Sequence, residues 1–166
     1  MSKVISELSA SPGRRVFGVG VLSILGLLLL RMALVGTVTG SGGSWLDGLV
    51  LVLGLGSIGG AWVMYKATAR RLILSEDALS DSEGVVLARL EDIVTVDRGT
   101  FAFKPSNGFL MRTSNGNTRL WQPGLYWRIG RRIGIGGITR AAESKAMADL
   151  ITVKLAEREA AKTHGL

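Results

Sequence analysis

Two long apolar runs constrain the fold of this chain more than any other feature. Residues 16–46 contain a single charge, Arg31, and residues 48–65 contain none. A stretch of about 18 or more residues with few charges is typical of a membrane-spanning helix. We therefore predict two spans, at about 17–38 and about 45–65. Because the Gly/Ser-rich link between them is short, the two spans must form an antiparallel hairpin.

The distribution of basic residues predicts the orientation of this hairpin. Both outer flanks are basic and the link is not, and the flanking cations are Lys3, Arg14, Arg15, Lys66, Arg70 and Arg71. Since positive charge is retained on the cytoplasmic side, we expect both termini to be cytoplasmic. An alternative is export, because the Arg-Arg-Val-Phe sequence at 14–17 resembles a twin-arginine signal. The apolar run continues past Arg31 without an A-x-A-like cleavage site, which favours an anchor.

Two charges in the apolar region are costly. Arg31 lies about seven residues before the end of its span, so about 10 Å deep at the rise of a helix. Asp47 lies just inside the start of the second span. The hairpin could pair Arg31 with Asp47, each could extend to the outer interface, or either could contact another subunit.

Small residues in the second span predict a packing face. Gly56 and Gly60 form a small-xxx-small pattern, which Ser57 and Ala61 repeat one residue later. Small side chains let helix backbones approach closely in lipid. This face could pack against the first span of the same chain or dock onto another membrane protein.

The sequence after Ala67 predicts a small antiparallel β domain with a C-terminal helix. Turn signals every 8–12 residues indicate consecutive strands. The predicted strands are 71–75, 78–82, 85–90, 93–103, 109–113 and 118–121, with a hairpin turn at 114–117. Thr139 is a candidate N-cap for an amphipathic helix over about 139–161, which would cover the apolar end of the sheet. The predicted division is a cytoplasmic segment 1–15, a transmembrane hairpin 16–66 and a cytoplasmic domain 67–166.

This layout resembles the bacterial membrane-anchored PH-like (pleckstrin-homology-like) families. The stretches that carry the resemblance are Leu72–Leu79, Leu87–Ile93 and the Gly-rich turn into the helix, within about residues 60–160. The resemblance implies a PH-like antiparallel β barrel or sandwich capped by a helix. It also implies a bacterial inner membrane, protein or lipid contacts and frequent oligomers, and it carries over no catalytic residue.

Charge is segregated along the cytoplasmic domain. Residues 67–97 carry seven acids and three bases, whereas residues 98–142 carry eight bases and no acid. The basic region is densest between 121 and 137, where aromatic rings lie beside arginines, a combination that suits a membrane interface. The candidate contact residues are Trp121, Tyr126, Trp127, Arg128, Arg131 and Arg132. They could instead dock a protein, or be core aromatics and solvated arginines. No recognition motif predicts nucleic-acid binding.

Several catalytic classes lack the residues they need. The chain has no cysteine and one histidine, His164, so zinc-thiolate sites and cysteine nucleophiles are excluded. The Gly-rich segment 130–137 lacks the Gly-Lys-Ser/Thr ending of a phosphate loop and predicts a tight turn before the helix. The adjacent Glu91 and Asp92 would point to different sides, which does not suit paired acid–base catalysis.

We therefore predict a non-enzymatic inner-membrane protein without a cofactor or metal. Its expected role is protein–protein interaction, as a scaffold, assembly factor or accessory subunit of a larger membrane complex. The expected partners are membrane lipids and either another integral membrane protein or a second copy of the chain. The alternative function is a membrane-surface module that binds anionic lipid through the basic aromatic segment.

Overall fold

The computed structural model describes residues 4–38, 45–98 and 105–164. The chain divides into two compact units. A helical unit comprises Pro12–Lys66, and a mixed α/β unit combines Met1–Ser11 with Ala67–Leu166. The helical unit is therefore an insertion in the chain of the other unit, which we call the soluble unit.

Two long helices form the helical unit, as predicted. Helix α1 spans Pro12–Val38 and helix α2 spans Trp45–Ala67. Both are long and apolar enough to cross a membrane, and only 11% of the most apolar window of each is buried. Most of their large apolar side chains are thus exposed within the unit, which is the surface that a lipid environment would cover.

A four-stranded antiparallel sheet opens the soluble unit. Its strands are β1 (Val4–Ser9), β2 (Arg71–Ser75), β3 (Ala78–Asp81) and β4 (Val86–Arg89), in the spatial order β1-β2-β3-β4. Strand β1 was not predicted, because its six residues alternate weakly and its partner lies beyond the hairpin. Leu8 of β1 is fully buried and pairs with Leu72 of β2.

A three-stranded antiparallel sheet follows, of order β5-β6-β7. A short 3₁₀ turn at Leu90–Asp92 leads into β5 (Ile93–Asp97), and β6 (Phe109–Gln122) and β7 (Tyr126–Ile135) complete the sheet. The end of the fifth predicted strand, 99–103, lies outside the described residues.

The predicted hairpin turn at 114–117 is wrong. Strand β6 continues through it, and the chain reverses at Gly124, whose φ is 84°. Between Arg112 and Asn117, β6 advances five residues while β7 advances two, from Arg132 to Gly130. The polar residues that predicted a turn instead form a bulge, since the Ser114 hydroxyl donates a hydrogen bond to Asp92 Oδ1 at 3.2 Å.

Helix α3 spans Ala141–His164 and packs on the core as predicted. Met147, Ala148 and Ile151 are fully buried in the same cluster as residues from both sheets. Thr139 is not the N-cap, because its hydroxyl donates to the Asn107 carbonyl at 3.3 Å and the first helical bond runs from Ser144 N to Arg140 O. The helix therefore begins two residues later than predicted.

The two sheets are open and do not close into a barrel. Two arginines bind main-chain carbonyls where the sheets meet. Arg128 Nη1 donates to the carbonyls of Val86 and Leu87, at 3.0 and 2.7 Å. Arg158 of α3 donates to the carbonyls of Leu90, Glu91 and Ile93 at 2.8–3.1 Å. Side chains thus satisfy backbone acceptors that strand pairing would satisfy in a closed barrel.

Candidate functional site

The candidate site is the β6–β7 ribbon, which we define as residues 109–135. The register places Arg112 of β6 directly opposite Arg132 of β7. Both side chains are exposed, and neither makes a hydrogen bond or ion pair with any described residue. Like charges directly opposite each other destabilise a sheet. An anion held between the two guanidinium groups would remove that cost.

Exposed apolar side chains lie on the ribbon between the Arg112–Arg132 pair and the turn at Gly124 that joins β6 to β7. Trp121 is 66% exposed and Ile129 is 55% exposed, and Arg119 is exposed beside them in β6. Large apolar side chains next to arginines suit a headgroup interface, where rings and cations both anchor. The ribbon therefore combines electrostatic and apolar contact groups.

Two of the six residues predicted for this surface are buried. Tyr126 and Arg128 are 2% and 8% exposed, so neither can reach a headgroup. Trp127, between them on the other face of β7, is half-buried and packs over Gly134, where a Cβ would clash with the indole ring. Of the other three, Trp121 and Arg132 are free to make contacts, whereas Arg131 is exposed but also donates to the Ser114 carbonyl inside the bulge.

Tyr126 belongs to a buried network centred on Asp81 of β3. The Asp81 carboxylate is fully buried and accepts hydrogen bonds from Arg70 Nη1 at 2.8 Å and the Tyr126 hydroxyl at 2.9 Å. The backbone N–H groups of Glu83 and Val85 also donate to it, each at 2.9 Å. The network thus links Arg70, which follows α2, to β3 of the first sheet and β7 of the second. It holds the Tyr126 end of the ribbon in place.

Burial and hydrogen bonding shift the pKa values in this network in opposite directions. Burial tends to raise the pKa of the Asp81 carboxyl, but hydrogen bonds from Val85, Arg70, Tyr126 and Glu83 outweigh it and hold that pKa below its usual range. Burial, together with the bond to the Asp81 carboxylate, raises the pKa of Tyr126 to about 12. The carboxylate therefore stays ionised and the phenol stays protonated at neutral pH.

Arg128 stabilises the ribbon from its buried face. Burial lowers the pKa of its guanidinium, but the group still binds the Val86 and Leu87 carbonyls and, through Nε, the Thr118 carbonyl at 2.9 Å. Its role is structural, since it ties the second half of β6 to β4 of the other sheet.

The helix face predicted from Gly56 and Gly60 is not the contact between α1 and α2. A Cβ on either glycine would meet open space. The close approach lies on another face, where Gly26 contacts Ile58 and Gly54 contacts Leu30. Of the other two predicted residues, Ala61 is 4% exposed, and the Ser57 hydroxyl donates to its own helix at the Leu53 carbonyl.

Arg31 and Asp47 do not form an ion pair in the described part of the hairpin. Asp47 lies over Gly36 of α1, where a Cβ would be 3.3 Å from Oδ1. Arg31 is exposed on α1 and, with Leu27 and Leu34, lines an open, mostly apolar depression. The glycine lets the carboxylate approach the first helix, an interaction that residue spacing alone did not indicate.

The described residues contain no group of three or more His, Asp and Glu side chains placed to hold a metal ion. Arg112 and Arg119 lie in the basic region 98–142, but nothing in the sequence distinguishes them from the other basic residues there. The signal that would have identified Arg112 is its register with Arg132, which the mistaken turn at 114–117 concealed. No family model matches the chain, and no curated protein or solved structure is significantly similar to it.

Proposed function

We propose that this chain is a membrane-anchored, non-enzymatic binding protein whose soluble unit attaches to an anionic membrane surface through the β6–β7 ribbon. The observation that carries the proposal is the exposed Arg112–Arg132 pair, two cations held opposite each other without a neutralising group among the described residues. Each Lys or Arg near an anionic leaflet contributes about 1 kcal/mol to attachment. The lipid-binding alternative from the sequence is thus the function that the geometry supports best.

The strand pairing supports a two-span anchor. Strand β1 precedes α1 and strand β2 follows α2, yet the two strands pair along most of their length. Paired strands must occupy one compartment, so the intervening chain crosses a bilayer an even number of times. Two spans satisfy this condition, whereas a single crossing or export of the C-terminal part does not. The basic flanks favour the cytoplasm as that compartment.

The architecture of the soluble unit supports the proposed PH-like identity. Two antiparallel sheets followed by one C-terminal helix that packs on their shared core agree with the layout that the resemblance implies. The open sheets favour the sandwich form of that layout. We extend the proposal to the inner membrane of a bacterium, where the resembling families occur.

Short connections support attachment to the same membrane that holds the anchor. Only Ala10 and Ser11 separate β1 from α1, and three residues separate α2 from β2. A tether this short keeps the effective concentration of headgroups around the soluble unit high. Weak contacts by a few arginines then suffice. The test is whether neutralising Arg112 and Arg132 in the reconstituted full chain releases the ribbon from anionic headgroups.

A second candidate function is helix docking as an accessory subunit. It is favoured by the open face at Gly56 and Gly60, which the contact with α1 leaves uncovered. The occupant would be a transmembrane helix of another integral membrane protein, or of a second copy.

Changing Gly56 and Gly60 together to leucine tests this candidate. The added side chains would prevent close approach of a partner helix, so a stoichiometric partner present with the wild type should be lost from native mass spectra in mild detergent. Gly48→Leu is the matched control, because a Cβ there also meets open space. Retention of the partner by the double variant, or purification of the wild type alone, would contradict helix docking.

A further inference from the structure

Arg31 lies on the side of α1 that faces away from α2. The residues of α1 that approach α2 closely include Gly26, which contacts Ile58, and Gly36, which lies against Asp47. Arg31 is midway between these two glycines in the sequence, so at 3.6 residues per turn it lies about 140° around the helix from each. Helix α2 therefore cannot cover Arg31, whose exposed guanidinium makes no hydrogen bond or ion pair with any described residue.

The depth of Arg31 makes a headgroup a poor partner for it. Arg31 lies about seven residues before the end of α1 at Val38, which is about 10 Å along the helix axis. Because every Cα–Cβ bond in a helix tilts toward the N-terminus, the side chain leaves α1 toward the bilayer centre and away from the nearer headgroups. Charged side chains inside membranes are costly and usually pair within protein. Arg31 therefore indicates a partner group at its own depth.

The apolar side chains around Arg31 form a groove whose shape suits a helix. An open depression of about 460 Å³ is lined by Leu27, Leu30, Arg31, Leu34 and Val35. These positions follow the spacing i, i+3, i+4, i+7 and i+8, which is typical of the stripe that one helix presents to another. Leu27 and Leu34 are 62% and 61% exposed, so the described part of the hairpin leaves this stripe uncovered.

A second copy of the chain does not supply the missing partner. Residues 16–65 contain one acid, Asp47, which lies at the level of Gly36 and thus about 8 Å from Arg31 along α1. All copies insert in the same orientation, so this difference in depth persists between copies. A two-fold contact through the stripe would instead bring two Arg31 side chains together, and like charges repel. The partner acid therefore belongs to a different chain.

We propose that the stripe at residues 27–35 docks a transmembrane helix of another integral membrane protein, one that carries an aspartate or glutamate at the depth of Arg31. The carboxylate would accept two parallel hydrogen bonds from the guanidinium, and apolar side chains of that helix would pack against Leu27 and Leu34. The proposal rests on the two-span anchor of the proposed function. It does not depend on attachment of the ribbon, and it uses a different helix from the Gly56 and Gly60 face.

The test uses a synthetic transmembrane peptide of leucine and alanine with one glutamate seven residues from its end, and a second peptide with glutamine in that place. The full chain carries a donor fluorophore at Ser41→Cys, in the link between the spans. Energy transfer to a labelled peptide reports association in phosphatidylcholine vesicles, where neutral lipid removes the contribution of the ribbon. The wild type should bind the glutamate peptide about tenfold more tightly than the glutamine peptide, as a polar contact between membrane helices implies.

Arg31→Gln should abolish this preference, and Arg31→Lys should keep part of it, because the charge remains without the planar fork. Arg14→Gln, the same charge change on α1 outside the apolar run, should keep all of it. Protection of the spans from protease in the same samples shows that the hairpin has inserted, which separates failure of the anchor from failure of the docking surface.

Equal binding of the two peptides by the inserted wild type, or a preference that persists in Arg31→Gln, would overturn the proposal. Native mass spectra then identify the alternative occupant. A phospholipid retained by the wild type and lost from Arg31→Gln would mean that Arg31 binds a headgroup, and a dimer lost from Arg31→Gln would mean that the stripe binds a second copy.

Discussion

Replacing Asp81 with alanine should destabilise the soluble unit by about 3–5 kcal/mol, the range measured when one partner of a buried ion pair is removed. The change leaves Arg70 Nη1, the Tyr126 hydroxyl and the N–H groups of Glu83 and Val85 without their acceptor. The measurement is urea unfolding of the full chain in detergent, followed by the fluorescence of Trp121 and Trp127. Trp45 and Trp62 would be changed to Phe so that only the soluble unit reports.

The matched control is Glu83→Ala. Glu83 also pairs with Arg70, at 2.6 Å, but its side chain is 59% exposed, so its loss should cost about 0–1 kcal/mol. Equal losses for Asp81→Ala and Glu83→Ala would contradict a special role for the buried carboxylate. The expected difference arises because Asp81 is buried and Glu83 is exposed, although both carboxylates pair with Arg70.

The difference between wild type and Asp81→Ala should also depend on pH. Because the pKa of Asp81 is lower in the folded state than its ordinary value of 3.8, the carboxylate stabilises the fold above that value. This stabilisation is lost as the pH falls through the folded-state pKa. The two proteins should therefore converge in stability in acid. A difference that stays constant down to strong acid would mean that ionisation of Asp81 contributes nothing.

Neutralising Arg112 and Arg132 together should shift the ribbon from membrane-bound to free by about thirtyfold, since two cations at about 1 kcal/mol each contribute about 2 kcal/mol. The chain has no cysteine, so Asn117→Cys, an exposed position on the ribbon, accepts a single fluorophore. Quenching by headgroup-labelled lipid in nanodiscs then reports attachment. We expect strong quenching with phosphatidylglycerol, little with phosphatidylcholine alone, and weakening by salt.

The control for net charge is the pair Arg71→Gln and Arg89→Gln. These arginines are 64% and 70% exposed and lie on the first sheet, where they pair with Glu7 and Glu91. The control should leave quenching unchanged. Equal loss in the control, or persistent quenching after Arg112 and Arg132 are changed, would rule out the ribbon as the contact surface.

The sequence predicted those elements in which the spacing of apolar residues by itself shows which side chains are buried. The two apolar runs became α1 and α2, strands β2 to β5 were anticipated within a few residues over their described parts, and the apolar stripe of α3 was correct. These elements carry their own hydrophobic periodicity, which is the strongest signal in a single sequence.

The features that the sequence did not predict depend on contacts between residues that are far apart in the chain. Strand β1 is stable because Leu8 meets Leu72 across an insertion of two helices. The Ser-Asn-Gly-Asn segment forms a bulge and not a turn because Asp92 and Arg131 supply its hydrogen bonds. The same tertiary contacts buried Tyr126 and Arg128 and left Arg112 and Arg132 facing each other. Composition had identified the basic region correctly but could not identify which arginines were exposed.

The most direct test of the account is the sidedness of three single cysteines in the cysteine-free chain, labelled with an impermeant thiol reagent. Glu7→Cys on β1 and Arg89→Cys on β4 flank the hairpin, and Ser41→Cys lies in the link between the two spans. Pairing of β1 with β2 across a two-span anchor predicts that Glu7→Cys and Arg89→Cys react only from the cytoplasmic side and Ser41→Cys only from the opposite side. Reaction of the two flanking cysteines from opposite sides, or of all three from the same side, would contradict it.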